Sequence, residues 1–334
     1  MSVVKSLDLR DKLGVWKSKY ELFRDRVEKE LSFVNSGAAS VDGGLLTDHG
    51  VRHVETVITR ASQLTNAKNC DLTEYEVFLL LAAIHLHDVG NIHGRQDHQC
   101  TLKDVGNWLG ATVSSDTTVL RTIMLIAAAH TSSGHQDKDT ISKLLPETHI
   151  LNKKVRPKLL AAILRFADEL SDERQRASQY LLETGKLPPT VQIYHHLSYA
   201  LHSVVIDHES REVELHFEIR KDYAVRQFEK CGGQTYLLDE ILERSKKIHL
   251  ERVYAMYSIR DVIQFDAIRV FIEVFDEGLN PIERIGYKLA ESGYPSEPSD
   301  GVYTLAPELA KYHEWKGQKV TGAELARRIE GRME

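Results

Sequence analysis

Six residues of this chain have the types and settings that suit a metal ion: His53, His87, Asp88, His98, His130 and Asp168. They fall in the segments HGVRHVETV, LAAIHLHDVGN, GRQDHQ, IAAAHTSSG and LRFADELSDE, and each follows or interrupts an apolar run that reads as a helix. Buried polar groups need partners, and buried charges need pairing or a metal. Imidazoles and carboxylates with no thiolate suit Mn, Fe, Ni, Co or Zn, and Mg where waters fill the sphere. Adjacent helical residues point about 100° apart, so His87–Asp88 can aim two ligands at one edge of an ion, and the carboxylate can bridge to a second. Bound metal brings the pKa of a water towards neutrality, which is hydrolytic chemistry. His85 and His135 are second-rank candidates for moving protons, although His85 reads better as a packed, hydrogen-bonded core histidine. His49, four residues before His53, competes with it for the ligand position, since helix positions four apart share a face. The ordinary alternative for His87–Asp88 is a buried ion pair, a poor stabiliser by itself.

Helices must position these groups. Trp16, Tyr20, Phe23, Val27, Leu31 and Val34 recur at three- and four-residue steps and predict a first helix with a core-facing stripe. Gly43–Gly44 breaks the chain, and the next helix is expected from near Asp48, carrying His53, Val54, Val57, Ile58 and Ala61. Thr73 and Glu76 form a capping box, with Leu72 placed to staple onto Val77. The helix from Val77 to about Val89 is apolar on nearly every face and should be buried. Further helices are expected over Thr101 to Leu109, Thr117 to His130 and Arg156 to about Leu182. Beyond Pro188–Pro189 the period changes to two. Val213, Leu215, Phe217 and Ile219 alternate with polar residues, as do Ile268, Val270, Ile272 and Val274. Val204 and Ile206 are expected in a partner strand that turns at Glu209-Ser210-Arg211, and a long helix spans Gln234 to Tyr257. Tyr194-His195-His196 reads as the surface of a hairpin edge rather than a second metal site. A capping box at Thr321 and Glu324 opens a last helix.

The expected organisation is mainly α: an N-terminal helical segment (1–44), a helical metal-binding domain (45–185), a smaller α+β domain (190–277) and a helical tail (278–334). A net charge of −6 disfavours broad, sequence-independent grip on nucleic acid. The stretch NKKVRPK, Asn152 to Lys158, is an ordinary solvated basic loop on this reading. Three cysteines without a CxxC pair fit a reducing compartment. The first residues are too interrupted by charge for a signal peptide, and no apolar run approaches bilayer length, so a cytoplasmic protein without membrane contact is expected.

The series His53, then His87–Asp88, then Asp168 resembles the signature of the HD superfamily of metal-dependent phosphohydrolases. LAAIHLHDVGN resembles its second motif and LLAAILRFADELSDERQRA its distal one. The likeness covers residues about 45–180 and implies an HD-type helical bundle. It implies that His53, His87, Asp88 and Asp168 hold a first divalent ion, and that His98 and His130 join the bridging Asp88 around a second. The α+β unit that follows suggests the HD-CE subgroup, predicted for bacterial conflict systems. Many members carry HDIGK, and here Asn91 stands at the lysine position, so Arg95, or Arg52 beside His53, is the candidate for holding phosphate with a bidentate fork. The implied activity is hydrolysis of a phosphoester or phosphoanhydride in a nucleotide-like substrate, with His98 and His130 also available for proton transfer. The acidic balance favours small nucleotides over nucleic acid. The alternatives are a non-catalytic nucleotide-binding module on the same scaffold and a single-strand nuclease. A homo-oligomer is compatible with the sequence.

Overall fold

The structure, a computed structural model, describes residues 8–42, 47, 49–90, 116–131, 138–291 and 301–331. The chain divides into two compact units, Met1–Ser171 with Tyr254–Gln264, and Asp172–Val253 with Phe265–Glu334. The division after Ser171 falls earlier than the expected boundary near residue 185.

The first unit is a helical bundle. Helix α1 (Lys17–Asp42) buries Tyr20, Phe23, Val27 and Leu31 along one stripe, as its three- and four-residue periodicity requires. Trp16 sits just before it in a 3-10 turn and stacks on Phe78 at 5.2 Å. Helix α2 (Val51–Leu64) starts a little later than expected, with Gly50 as its N-cap. Helix α3 (Glu74–Leu86) is buried from Tyr75 to Leu86, which is why its sequence is apolar on all sides. Its capping box is formed as expected: the Thr73 hydroxyl accepts from the Glu76 amide, and Glu76 accepts from the Thr73 amide. Helix α4 (Thr117–Ala128) is capped by the Asp116 carboxylate. The strands β1 (Thr148–Ile150) and β2 (Lys153–Val155) form a short hairpin.

Helix α5 (Pro157–Glu169) opens with proline in its first turn. It does not run on to Leu182. Leu170 caps it, the Ser171 hydroxyl returns to the Ala167 carbonyl, and a separate 3-10 turn follows over Arg174–Arg176. The Ser-Asp-Glu run offers the backbone these alternatives to helix. Arg156, from the expected basic loop, is a structural residue: its guanidinium holds Glu76 at 2.8 Å and Asp71 at 3.1 Å. Glu76 thereby ties the start of α3 to the start of α5. The expected helix over Thr101 to Leu109 lies outside the described residues.

The second unit is α+β. After α6 (Gln179–Glu183), helix α7 (Pro189–Ala200) leads into strand β3 (Leu201–Asp207). Tyr194-His195-His196 therefore lies in a helix rather than on a hairpin edge. His195 and His196 are buried, the latter against Tyr223 and Phe228. Strand β4 (Glu212–Arg220) pairs with β3 as expected. Then come α8 (Lys221–Val225), the hairpin β5 (Gln227–Lys230) with β6 (Gly233–Tyr236), and the long helix α9 (Leu237–Ile259). Strand β7 (Ala267–Phe275) pairs parallel to β4, and β8 (Pro281–Ala290) pairs antiparallel to β7, giving the order β3-β4-β7-β8. Val213, Leu215, Phe217, Val270, Ile272, Val274, Ile285 and Leu289 make its buried face. Ser245 of α9 hydrogen-bonds Tyr287 of β8 at 2.7 Å. The tail is thus not wholly helical. Residues 281–290 are a strand because Ile285, Tyr287 and Leu289 alternate with Arg284, Gly286 and Lys288. Helices α10 (Val302–Leu305) and α11 (Gly322–Glu330) follow, the latter capped by Thr321.

Candidate metal centre

Three ends of buried helices in the first unit, and the start of a fourth, deliver the cluster. His53 sits in the first turn of α2, with 1% of its surface exposed. His87 caps the C-terminus of α3 and Asp88 follows it, both buried. His130 comes two residues after α4, and Asp168 occupies the last turn of α5. Helix termini suit this task, because the chain can turn there and direct side chains inward while the apolar helix bodies pack.

The donor atoms converge. His53 Nε2 lies 3.0 Å from Asp168 Oδ1 and 3.4 Å from Asp88 Oδ2. His87 Nε2 lies 3.5 Å from each of these oxygens and 3.3 Å from His53 Nε2. An ion bound at about 2.1 Å to each donor spaces neighbouring donors about 3.0–3.4 Å apart, for right-angled and tetrahedral arrangements. The observed edges, 3.0–3.5 Å, lie at or just above that spacing. The tautomers fit too. His87 Nδ1–H donates to the Ile84 carbonyl at 2.6 Å, and His130 Nδ1–H to the Ala127 carbonyl at 2.6 Å. A fixed Nδ1–H leaves the Nε2 lone pair facing the cluster, the orientation a metal needs.

Asp88 presents its two oxygens to different neighbours. Oδ2 faces His53 and His87 and accepts from His49 Nδ1 at 2.7 Å, while Oδ1 is 3.7 Å from His130 Nε2. His49 is therefore a member of the cluster together with His53, not a substitute for it. It reaches Asp88 from the loop before Gly50, so the shared-helix-face argument does not place it; only its nearness in sequence hinted at a role. His49, His53 and Asp88 form one set able to hold an ion, and His53, His87 and Asp168 another.

The two carboxylates draw positive charge to the cluster. Burial disfavours charge on His87, but Asp88 and Asp168 outweigh it and push the imidazole up to about 9. Burial works against ionised Asp88 and Asp168 as well. His87 and His49 nevertheless hold Asp88, and hydrogen bonds from His53 and His87 hold Asp168, well below the usual carboxylate range. His130 goes the other way: burial, reinforced by positive His87, pulls it down to about 4. A proton on His87 does part of what a divalent ion would do between the same donors. His85, as expected, is a core histidine, fully buried with its Nε2 2.9 Å from the Tyr20 hydroxyl.

Arg52 is exposed on α2 and stands outside the buried cluster, because adjacent helical residues diverge by about 100°. His98, Arg95, Asn91 and His135 lie outside the described residues.

Residues 44–247, more than half the chain, match the HD-CE family. The chain belongs to the HD-CE family. Its HD-type helical domain carries the buried His/Asp cluster described above. No curated protein and no solved structure matches the chain. No described helix is long and apolar enough to cross a membrane.

Proposed function

We propose that this HD-CE protein is a metal-dependent phosphohydrolase that cleaves a phosphoester or phosphoanhydride bond in a small nucleotide-like substrate. The observation that carries the proposal is the meeting of the His53 and His87 Nε2 atoms at 3.3 Å, with a carboxylate oxygen of Asp168 at 3.0–3.5 Å from them. Two imidazole nitrogens at that separation must share a proton or a metal ion, and the carboxylate oxygens of Asp168 and Asp88 beside them supply the further donors that suit a metal. His53, His87, Asp88 and Asp168 are the ligands on this reading. The metal, one of Mn, Fe, Ni, Co, Zn or Mg, supplies an activated water near neutral pH and charge to offset the phosphoryl oxygens.

The chain's own residues do the rest. The Ile84 carbonyl fixes the His87 ring, and His49 fixes the Asp88 carboxylate. His130 is kept neutral by burial, so its Nε2 can accept a proton or join a second ion beside Asp88 Oδ1. His98 and Arg95 remain candidates for the second ion and for the phosphate on sequence grounds alone. A net charge of −6 supports a small nucleotide over a long polyanion. The cysteines support a reducing, cytoplasmic setting; Cys70 and Cys231 are unpaired.

Elemental analysis of protein purified without chelator tests the site: one or two equivalents of metal are expected, and Asp88→Ala should lose them. Equal metal in both proteins would overturn the assignment. His130→Ala should lower the stoichiometry by about one if two ions bind. A screen of nucleotides with added Mn²⁺ tests the reaction. His87→Ala and Asp168→Ala, checked for folding by circular dichroism, should lose turnover by several orders of magnitude. Near-normal turnover in either would place the chemistry elsewhere.

A further inference from the structure

The second unit holds a groove of about 650 Å³ on the face of the sheet opposite its buried side, a size that suits a ligand or a few peptide residues. Its floor is aromatic. The register of β4 and β7 pairs His216 with Phe271, and their rings lie nearly parallel, 19° apart with centroids at 4.9 Å. Across β8 from Phe271 stands Gly286, which leaves the space beside the ring open; an added Cβ would sit 3.9 Å from Phe271 Cδ1. The Tyr312 hydroxyl accepts from the Gly286 amide at 2.9 Å and forms a wall.

The rim is acidic. Glu218 lies two residues along β4 from His216, Glu273 two along β7 from Phe271, and Glu314 lines the far side. Arg284 is the one lysine or arginine among the residues lining the groove, and it is paired with Glu273 at 2.8 Å. Set against Arg284, and with His202 Nδ1 3.5 Å from Glu218, the three carboxylates still leave the lining net negative, which disfavours phosphate, so a nucleotide is a poor occupant here. An ammonium satisfies the charge but has no plane to lay on the rings. A guanidinium satisfies both: it stacks on aromatic faces, and its N–H fork meets carboxylates two bonds at a time.

We propose that this face of the sheet is a docking site for an arginine side chain presented by a partner protein. The guanidinium lies against the outer face of Phe271, in the space that Gly286 leaves open, and donates to Glu218 and Glu273, with Glu314 adding charge at the rim. The site stands apart from the metal reading and does not depend on it.

Fluorescence anisotropy tests it, with the full chain and a labelled Gly-Gly-Arg-Gly-Arg-Gly peptide at low salt. The arginine peptide should bind at least tenfold more tightly than its citrulline counterpart and at least threefold more tightly than its lysine counterpart. The double substitution Glu218→Gln with Glu273→Gln should weaken binding at least tenfold. Glu314→Gln, off the sheet, should weaken it about threefold, and it decides the question if the strand variants fail to fold. Absence of saturable binding overturns the proposal, as do equal affinities for arginine and citrulline, or unchanged affinity in Glu314→Gln. Guanosine monophosphate binding more tightly than the peptide, and lost in Phe271→Ala, would overturn it in favour of a base site.

Discussion

His49 shows how a single side chain can matter to a metal site without being one of its signature residues. Its Nδ1 is 2.7 Å from Asp88 Oδ2, and it is buried. A hydrogen bond of this kind fixes the rotamer of a ligating carboxylate, and losing such a partner commonly weakens metal binding 10–100-fold. His49→Ala should therefore retain the fold and bind Mn²⁺ roughly 10–100-fold more weakly. His49→Asn, which keeps a donor of similar reach, should recover part of that loss. Isothermal titration of chelator-stripped protein measures both. Equal affinity in wild type and His49→Ala would reduce His49 to packing. At this scale much of the candidate site was legible. The types and apolar settings of His53, His87, Asp88, His130 and Asp168 single them out in the sequence, and the fold brings them together. Arg52 lies on the exposed side of α2, a placement that charge type alone does not reveal.

Elements were legible where one local rule dominates. The all-apolar run of α3 and its Thr73–Glu76 box gave both the burial and the start of that helix. The end of α5 is not legible, because it rests on the Ser171 amide taking the Asp168 carbonyl three residues back, a choice the Ser-Asp-Glu run permits but does not announce. Strand β8 was missed because Gly286 and Pro281 weaken its local propensity, and pairing with β7 supplies what propensity lacks. One element-level link also joins two of the helices that carry the site: Glu76, 1% exposed, accepts from Thr73 and from the Arg156 side chain and amide. That carboxylate is held below its ordinary range; burial opposes this, and Arg156 overcomes it. Glu76→Ala removes the cap and the tie to α5 together, and should cost about 2–3 kcal/mol in urea unfolding. A loss under about 0.5 kcal/mol, the level of an ordinary surface change, would mean that the α3–α5 link is incidental.

The whole molecule carries several buried histidines, and those held neutral add to its sensitivity to acid. In the second unit His249 is 1% exposed, and burial, aided by the charge of Arg252, pulls it down to about 4. The unfolded chain takes up a proton near pH 6.5 that the folded one refuses. Stability is therefore fully present above about pH 6.5 and is lost as pH falls towards 4. His196, likewise drawn to about 4 by burial, adds to the same window. Urea midpoints of chelator-treated protein should fall between pH 7 and 4, and His249→Leu should flatten part of that slope, by at most about 3 kcal/mol. An identical slope in the variant would show that His249 does not titrate there. The parallel pairing of β4 with β7 has a consequence in time. The β3–β4 and β7–β8 hairpins close short loops, at His208–Arg211 and Asp276–Asn280, but Glu212 meets Ala267 only after α8, β5, β6 and α9 have been threaded between them. Long closures are entropically late. In stopped-flow chevrons, Asp276→Ala, which removes the turn bond to the Asn280 amide, should slow refolding. Leu215→Ala, buried on β4 beside Val270 of β7, should chiefly hasten unfolding. The seam between those two parallel strands would then be the last part of the sheet to close and the first to open.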